Sequence, residues 1–325
     1  MLNNKSLIKK IINKSSGFIW QHALLGRRRT LRILTYHGVV EKYQDKFLER
    51  NFVTREDFIR QLDFLQKKFK FISIPQIVEA NRQFSNEIAI TFDDGYENNI
   101  AAADILTERN IPFTIFLTTG LLGKVGRGIW PVDLELLLLK GGLTEICLLN
   151  EIWYLENDEQ RRVAYKRIKQ LFKALNSTAK DKLMQELSNL YPVYELEELH
   201  AKFNSFNMLS VEQAVNLSMN PLCNLGCHGY LHELLHPNQD ESVVASEIVK
   251  SKEQFKLYFG FEPEYFGYPN GDYSTASEKY LKNAGFKAAF LNSPTPLINI
   301  NNRFEFPRLN IPNNFNVFKS QVNHY

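Results

Sequence analysis

Three histidines stand four residues apart in the segment "GCHGYLHELLH", at His228, His232 and His236. A spacing of four returns side chains to one face wherever a segment is helical, and two neighbouring imidazoles on one face can hold a metal ion. The three histidines offer two such pairs, and each pair predicts a different kind of metal site. The choice between them depends on the other ligands and catalytic groups that the sequence supplies.

Two adjacent carboxylates, Asp93 and Asp94, follow an apolar run in the stretch "AITFDDGYENN". In α/β folds the carboxyl ends of parallel strands carry the sites, and neighbouring carboxylates repel unless they share a cation or a proton. Asp followed by Gly is also common turn chemistry, and these letters alone favour a plain turn. The buried-looking strand before them and the clustered histidines elsewhere favour a functional site.

Two further stretches place polar groups at a predicted strand end or turn. "LTYHGV" puts His37 at the end of a strand, although a lone histidine there is more often structural than catalytic. "YFGYPNGDY" contains a turn in which Gly271 supplies an unusual backbone angle, and such a turn can direct a backbone N–H at a substrate oxygen. Taken alone, either stretch is consistent with an ordinary loop.

Alternating strands and helices must bring these groups together. Short apolar runs predict strands at 32–37, 69–73, 87–94, 112–120, 223–228, 264–269 and 287–292. Helical patterns lie between them: one begins at Thr54, and another begins at Ser274 or Thr275 and ends at Gly285. This alternation predicts an α/β fold with a parallel sheet or a barrel.

The segment from about 124 to 207 departs from the alternation. It has few strand patterns and two charged helical stretches, around 158–175 and 178–190, which predict an inserted, mostly helical lobe. We therefore expect a basic segment over 1–30 and one main domain over 31–325 that contains the insertion. No G-x-G-x-x-G or Walker-type loop occurs, so the sequence offers no nucleotide-binding motif of those kinds.

Composition and charge exclude several classes of protein. The chain has 325 residues with 44% hydrophobic residues, and its net charge of +3 implies no nucleic-acid partner. Its three cysteines are too few for a disulfide framework, and no C-x-x-C pair occurs. No apolar run reaches the roughly 18 residues of a membrane span.

Residues 1–30 contain seven Lys or Arg and no acidic residue. The apolar stretch within them includes Gln and His and lacks a clear cleavage site, which argues against a secretory signal peptide. Such a segment could rest on an anionic membrane surface, but a basic leader helix packed on the domain is the simpler interpretation, because lone basic amphipathic stretches are weak indicators. We expect a cytoplasmic location or a peripheral one on the inner membrane face.

Together the motifs resemble those of the polysaccharide deacetylases of the NodB-homology type, carbohydrate esterase family four. The resemblance rests on "TFDDG", the "H-x-x-x-H" after a strand end and "YPNG", in the family's order from about Ile33 to Leu309. It implies a distorted (β/α)7-type barrel with an inserted helical lobe. It also implies a hydrolase that removes N- or O-linked acetyl groups from a sugar or polysaccharide in surface-glycan metabolism, using a divalent metal, with zinc as the expected ion.

The resemblance assigns the roles of base and metal ligands. Asp93 matches the family's general base. The metal ligands are matched by Asp94, His228 and His232. Gly229 stands where the family has Ser or Thr, and because that hydroxyl is not a ligand, we expect altered loop support and an intact metal site.

The resemblance also assigns groups that would surround the reacting carbonyl. Asn270 and Tyr268 stand in the turn that offers a backbone N–H to the oxyanion. The Arg that many members have before this turn is Gly267 here, and Arg308 in "FPRLNI" is the candidate that replaces its charge.

The family's acid histidine lies near the C-terminus, where this chain has only His324 outside the usual context. In one branch of the family that histidine stands on the first strand as "Y-H", so the resemblance makes His37 the general acid. In the implied reaction Asp93 removes a proton from the attacking water and His37 protonates the departing group. The products are acetate and a free amine or hydroxyl.

Two alternatives stay open at this point. "HELLH" is a literal H-E-x-x-H, so His232 and His236 could bind zinc with Glu233 as the base of a metallopeptidase. Pro237 follows at once and disfavours the sustained helix that this site needs, and "TFDDG" would be left unexplained. The second alternative is a non-catalytic glycan-binding member of the fold, against which the complete Asp-Asp-His-His set argues.

Overall fold

Seven parallel strands close a barrel in the computed structural model, which describes residues 31–293 and 302–324. The described strands are β1 (Leu31–Tyr36), β2 (Gly38–Val40), β3 (Phe52–Thr54), β4 (Lys70–Phe71), β5 (Glu87–Phe92), β6 (Phe113–Leu117), β7 (Glu145–Leu148), β8 (Glu151–Tyr154), β9 (Cys223–Cys227), β10 (Tyr265–Gly267), β11 (Ala288–Asn292) and β12 (Phe306–Asn310). The ring runs β1, β5, β6, β9, β10, β11, β12, and β12 closes it on β1. The prediction of a (β/α)7-type barrel is therefore confirmed.

Helices cover the barrel and extend the loops at its carboxyl end. The described helices are α1 (Arg55–Gln66), α2 (Ile74–Val78), α3 (Asn99–Glu108), α4 (Trp130–Lys140), α5 (Asp158–Ala174), α6 (Ser177–Ser188), α7 (Glu195–Lys202), α8 (Val211–Ser218), α9 (Glu241–Phe259), α10 (Thr275–Asn283) and α11 (Phe315–His324). None of these helices is long and apolar enough to cross a membrane.

The barrel strands are apolar because both of their faces are covered. All six residues of β5 and all five of β6 are buried, as expected for parallel strands with helices outside and packed side chains inside. Each of the seven predicted strands is present. The apolar patterns do not predict β12, in which Pro307 and Arg308 interrupt the run of apolar residues.

Two helices begin where the sequence predicts, and one of them also ends there. The Thr54 side chain accepts a hydrogen bond from the Asp57 N–H at 3.2 Å and caps α1. Ser274 and Ser277 form a reciprocal capping box at the start of α10. Gly285, with φ of +84°, follows the end of that helix in the left-handed conformation that favours glycine.

The inserted segment forms a lobe of α4 to α7 with a β7–β8 hairpin between α4 and α5. Helices α5 and α6 occupy the two charged stretches, whereas the hairpin is an addition to the predicted helical lobe. The lobe shares one hydrophobic cluster with the loops that follow the barrel strands, including Trp130 and Phe172 of the lobe and Phe52 and Tyr96 of the barrel loops. It therefore packs on the carboxyl end of the barrel. The predicted basic segment 1–30 lies outside the described residues.

Candidate active site

Asp93 and Asp94 follow β5 directly and are buried at the carboxyl end of the barrel. Asp94 has φ of +74° and Gly95 has φ of +84°, so the chain turns sharply here through a conformation that L-residues rarely adopt. The Asp93 N–H donates to the Tyr36 carbonyl at 3.0 Å. The Thr118 N–H donates to the Asp94 carbonyl at 3.2 Å. The loops after β1 and β6 thus hold both carboxylates in place.

Arg308 of β12 forms a two-pronged ion pair with Asp93. Both guanidinium nitrogens lie 2.7 Å from a carboxylate oxygen, and both side chains are fully buried. Burial alone would raise the pKa of Asp93, but Arg308 and His228 outweigh it and hold that pKa below its ordinary value. The structure thus places the positive charge of Arg308 beside Asp93, although the two residues are far apart in the sequence, as the resemblance suggested for Arg308.

Asp94, His228 and His232 bring three buried ligand atoms within 4.8 Å of one another. The Nε2 atom of each histidine lies 3.3 Å from Asp94 Oδ1. His228 Nδ1 lies 2.8 Å from the Gly267 carbonyl oxygen, which can only accept a hydrogen bond, so in the neutral imidazole Nδ1 bears the proton and the Nε2 lone pair is available to a metal ion. The donor set and its orientation fit a divalent ion.

The electrostatics of this trio keep the carboxylate charged. Burial would raise the pKa of Asp94, but the adjacent imidazoles of His228 and His232 hold that pKa well below its ordinary value. Burial also lowers the pKa of His232, which favours the neutral imidazole that a metal needs. An ionised carboxylate beside a neutral imidazole is the protonation state of a ready ligand set.

His228 and His232, four residues apart, are brought together by a loop and not by a helix, because residues 228–240 contain no helix. His232 has φ of +64° and Gly229 has φ of +81°. The buried Glu247 of α9 supports this loop: its Oε1 accepts from the Leu231 N–H at 2.7 Å and from the Glu233 N–H at 3.0 Å. A Cβ at position 229 would lie 2.6 Å from that oxygen, which explains why glycine stands where Ser or Thr was expected.

The "HELLH" arrangement of a metallopeptidase is not formed. Glu233 turns toward the lobe, where its carboxylate lies 2.7 Å from Lys180 Nζ and accepts from the Ser177 hydroxyl. His236 accepts from the Asn238 N–H at 3.1 Å and is not part of the trio. The helix that would place His232 and His236 on one face is absent from this stretch, as Pro237 predicts.

His37 and Asn270 line the same cleft as the trio. Asn270 has φ of +57° in a 3-10 turn, Pro269–Gly271. Within residues 31–293 and 302–324 its backbone N–H has no hydrogen-bond acceptor, so this donor is available to a ligand. The structure therefore brings the predicted general acid and the predicted oxyanion donor to the cleft, while their roles stay predictions.

Tyr268 is not brought to the cleft, and this corrects its prediction as an oxyanion group. Its side chain is fully buried, and its hydroxyl donates to the Phe304 carbonyl at 3.1 Å. Its N–H donates to the Phe290 carbonyl at 3.0 Å. Both donors are used by the barrel, because Tyr268 directly follows β10 and continues its pairing with β11.

The cleft encloses about 690 Å³, counting space open to solvent. One of its walls comes from the lobe and consists of Ile129, Trp130, Pro131, Val132, Glu135, Lys169 and Lys173. Trp130 Nε1 donates to the His232 carbonyl at 3.1 Å across 102 residues of sequence. No local motif could have revealed this contact. Tyr96 lines the same cleft, and burial together with the nearby Asp94 raises the pKa of its hydroxyl; its position two residues after that ligand is the available sequence indication.

The polysaccharide deacetylase profile matches residues 81–144 and 196–289. These segments contain β5, β6, β9 and β10, and with them Asp93, Asp94, His228 and His232. The unmatched stretch between them lies in the lobe. No curated protein matches the sequence at a significant level.

Solved structures with the same fold cover most of this chain at low identity. The structure of IcaB from Ammonifex degensii is 19% identical with a TM-score of 0.56, over 91% of this chain and 98% of that one. Streptococcus pyogenes deacetylase PplD in complex with acetate is 15% identical with a TM-score of 0.57, over 88% and 93%. A de-N-acetylase from Aggregatibacter actinomycetemcomitans is 15% identical with a TM-score of 0.57, over 90% and 99%. At these identities the likeness establishes the fold.

Proposed function

The chain belongs to the polysaccharide deacetylase family, whose members are hydrolases that act on carbon–nitrogen bonds in acetylated glycans, and from that premise we propose that it deacetylates a glycan in a metal-dependent reaction. The observation that supports this most is the buried donor set of Asp94, His228 and His232. Beside it, Arg308 keeps Asp93 ionised without using a metal-facing position. A metal-ligand set beside a separate buried base is typical of a hydrolase, and glycan binding alone requires neither group.

Zinc is the ion that we propose for the trio. Imidazole and carboxylate are common zinc ligands, and three protein ligands leave one position open, as in catalytic zinc sites. When bound, the ion would make a water more acidic and polarise the acetyl carbonyl. The chain's own contribution is to orient the ligands, through the Gly267 carbonyl on His228 and the Glu247 carboxylate under the His232 loop.

Three groups of the chain would act on the reacting atoms. The Asp93 carboxylate would accept a proton from the attacking water, which its low pKa permits because the group is ionised at neutral pH. The Asn270 N–H would donate to the oxyanion. His37 would protonate the departing nitrogen of an N-linked acetyl group, or the departing oxygen of an O-linked one.

A matched pair of variants tests the metal site. We expect His228→Ala to lose bound metal, measured by elemental analysis, together with acetate release from acetylated oligosaccharides. We expect His236→Ala to retain both, because His236 is outside the trio. Removal of metal from the wild type with a chelator should abolish acetate release, and added zinc should restore it. Full acetate release by metal-free protein would refute the proposal, and so would metal loss in His236→Ala with retention in His228→Ala.

The substrate that we propose is a glycan near a membrane surface. PplD is described in complex with acetate, which is the product that this reaction would release. The seven basic residues of 1–30 are compatible with contact with an anionic membrane surface, and on that basis we propose a cytoplasmic or inner-face location for the protein. Fractionation of cells that contain the full chain, beside a variant with Arg27, Arg28 and Arg29 replaced by Gln, tests this. Equal distribution of both proteins in the soluble fraction would count against membrane contact.

A further inference from the structure

Two lysines of the lobe, Lys169 and Lys173, line the cleft beside the trio. They stand four residues apart on α5, so they share one face of that helix. Lys169 Nζ donates to the Tyr165 hydroxyl at 2.8 Å, and Lys173 Nζ donates to Asn270 Oδ1 at 2.6 Å. Their partners are neutral groups, and in the part of the chain that the structure describes neither ammonium lies within 4.0 Å of a carboxylate oxygen.

The carboxylates near these lysines are bound by other groups. Arg50 binds Glu135 with both guanidinium nitrogens, and the Tyr165 hydroxyl donates to Glu135 at 2.9 Å. Asp272 accepts from Asn270 Nδ2 at 2.5 Å.

The remaining acidic groups belong to the reaction centre. Asp93 is paired with Arg308, and Asp94 belongs to the metal trio. The cleft wall formed by Lys169 and Lys173 therefore bears positive charge in excess of its nearby carboxylates.

Burial makes this excess charge unfavourable in the free protein. Desolvation lowers the pKa of Lys169 to about 8, against the opposing effect of Glu135. It also lowers the pKa of Lys173, against the opposing effect of Asp272. A half-buried ammonium without a carboxylate partner loses hydration that only a counter-charge can replace. A ligand that brings a negative charge into the cleft would supply that partner.

We propose that Lys169 and Lys173 bind an anionic group of the glycan, a carboxylate or a phosphate, so that the preferred substrate is an acetylated acidic saccharide. This inference rests on the deacetylase function proposed above. Lys173 contacts Asn270, whose N–H is the proposed oxyanion donor, so the proposal puts the anionic group on the acetylated sugar or on the sugar bonded to it. A Lys173 that merely joins the lobe to the barrel is the competing explanation, and the experiment must separate the two.

The test compares three acetylated amino-sugar disaccharides that differ only in the neighbouring sugar: neutral, with a carboxylate at C6, or with a phosphate at C6. We expect the wild type to have a kcat/KM for one or both anionic forms at least roughly tenfold above that for the neutral form, because hydrogen bonds between charged groups are worth about one to two powers of ten. The preferred anionic form identifies the anion. The preference should weaken as salt rises.

Variants decide what the lysines do. In the double variant Lys169→Met with Lys173→Met we expect kcat/KM to fall at least roughly tenfold more for the preferred anionic disaccharide than for the neutral one, so that the anionic preference vanishes. Lys173→Arg should preserve much of the preference, because it keeps the charge. Lys166→Met is the matched control, since Lys166 is exposed on the same helix and should leave the preference unchanged.

Two results would overturn the inference: no anionic preference in the wild type, or an equal loss on neutral and anionic substrates in the double variant. Calorimetric binding of the same disaccharides provides an answer independent of turnover. If no disaccharide is deacetylated but the anionic forms bind at least tenfold tighter and lose that advantage in the double variant, the lysine site stands and the deacetylase proposal fails. Equal binding of all three would refute the lysine site itself.

Discussion

The barrel and the inserted lobe border the same cleft, but they position their side chains by different means. Asp93, Asp94 and His228 follow strands of the barrel, and backbone hydrogen bonds to neighbouring strands hold them in register. Trp130 belongs to a different hydrophobic cluster, and Lys169 lies on α5, whose buried residues pack in that same cluster. The barrel thus fixes its groups through backbone hydrogen bonds and the lobe through side-chain packing, and catalytic groups need precise positions.

The difference suggests that the two sides of the cleft have different roles. The barrel side supplies a ligand set, a paired base and a free backbone donor, which are the groups that act on a carbonyl. The lobe supplies an aromatic wall and ammonium groups, which contact the rest of a substrate. We therefore expect substitutions on the barrel side to affect the chemical step or the fold, and substitutions in the lobe to have smaller effects that depend on the substrate.

The largest expected effect is that of Asp93→Asn. We expect kcat for acetate release to fall roughly 10²- to 10⁴-fold, the usual contribution of a general base. Bound metal should be unchanged, because Asp93 is not in the trio, and elemental analysis checks this. Circular dichroism verifies that the variant is folded, since Arg308 loses a charged partner. Near-normal turnover would show that Asp93 is not the general base and would weaken the contrast between barrel and lobe.

Arg308→Met should affect stability more than replacement of the cleft-lining lysines of the lobe, Lys169 and Lys173. Removing one partner of a buried ion pair leaves an uncompensated charge, which costs roughly 3–5 kcal/mol. Urea denaturation measures the loss of unfolding free energy. Arg308→Lys is the companion variant: it keeps the charge but loses the two-pronged geometry, so an intermediate loss is expected. Equal stability of Arg308→Met and wild type would mean that the pair contributes nothing to the barrel.

The sequence predicts the chemical groups better than it predicts their surroundings. "TFDDG" and the histidine at the end of β9 are local patterns, because a residue after an apolar strand must lie at the strand's carboxyl end. Arg308 was a candidate from sequence, but its two hydrogen bonds to Asp93 join positions 215 residues apart. The motif that contains Tyr268 does not reveal that its hydroxyl and its N–H both bond to carbonyls within the domain and away from the cleft.

The lobe residues that line the cleft could not be predicted from the sequence for a similar reason. Lys169 and Trp130 belong to helical patterns whose buried faces look like ordinary core, and only the packing of the lobe on the barrel turns them toward the cleft. Glu247 also escaped notice, as one acidic residue of a long helix. Gly229 was the available indication: a glycine in place of a hydroxyl implies a close neighbour, and that neighbour is the Glu247 carboxylate.

Glu247→Ala tests whether the barrel side of the cleft also includes the residues that support the metal ligands. Without the carboxylate, the N–H groups of Leu231 and Glu233 lose their acceptor and the His232 loop loses its anchor. We expect metal affinity to fall roughly 10- to 100-fold, as for other residues that orient ligands. Glu247→Gln keeps an acceptor oxygen and should retain most of the affinity. Competition with a metal indicator measures both variants, and equal affinity of Glu247→Ala and wild type would contradict the role.

The smallest effect is expected for Trp130→Phe, which cuts one link between lobe and barrel while leaving the ring stacked on Phe172. The lost hydrogen bond leaves the His232 carbonyl without its donor, at a cost of about 1 kcal/mol, or a few-fold in kcat/KM for acetate release. Metal content should not change, because Glu247 still supports the loop from the barrel side. A loss of metal as large as in Glu247→Ala would mean that the lobe positions the ligands as firmly as the barrel does. The division between chemistry in the barrel and selectivity in the lobe would then have to be abandoned.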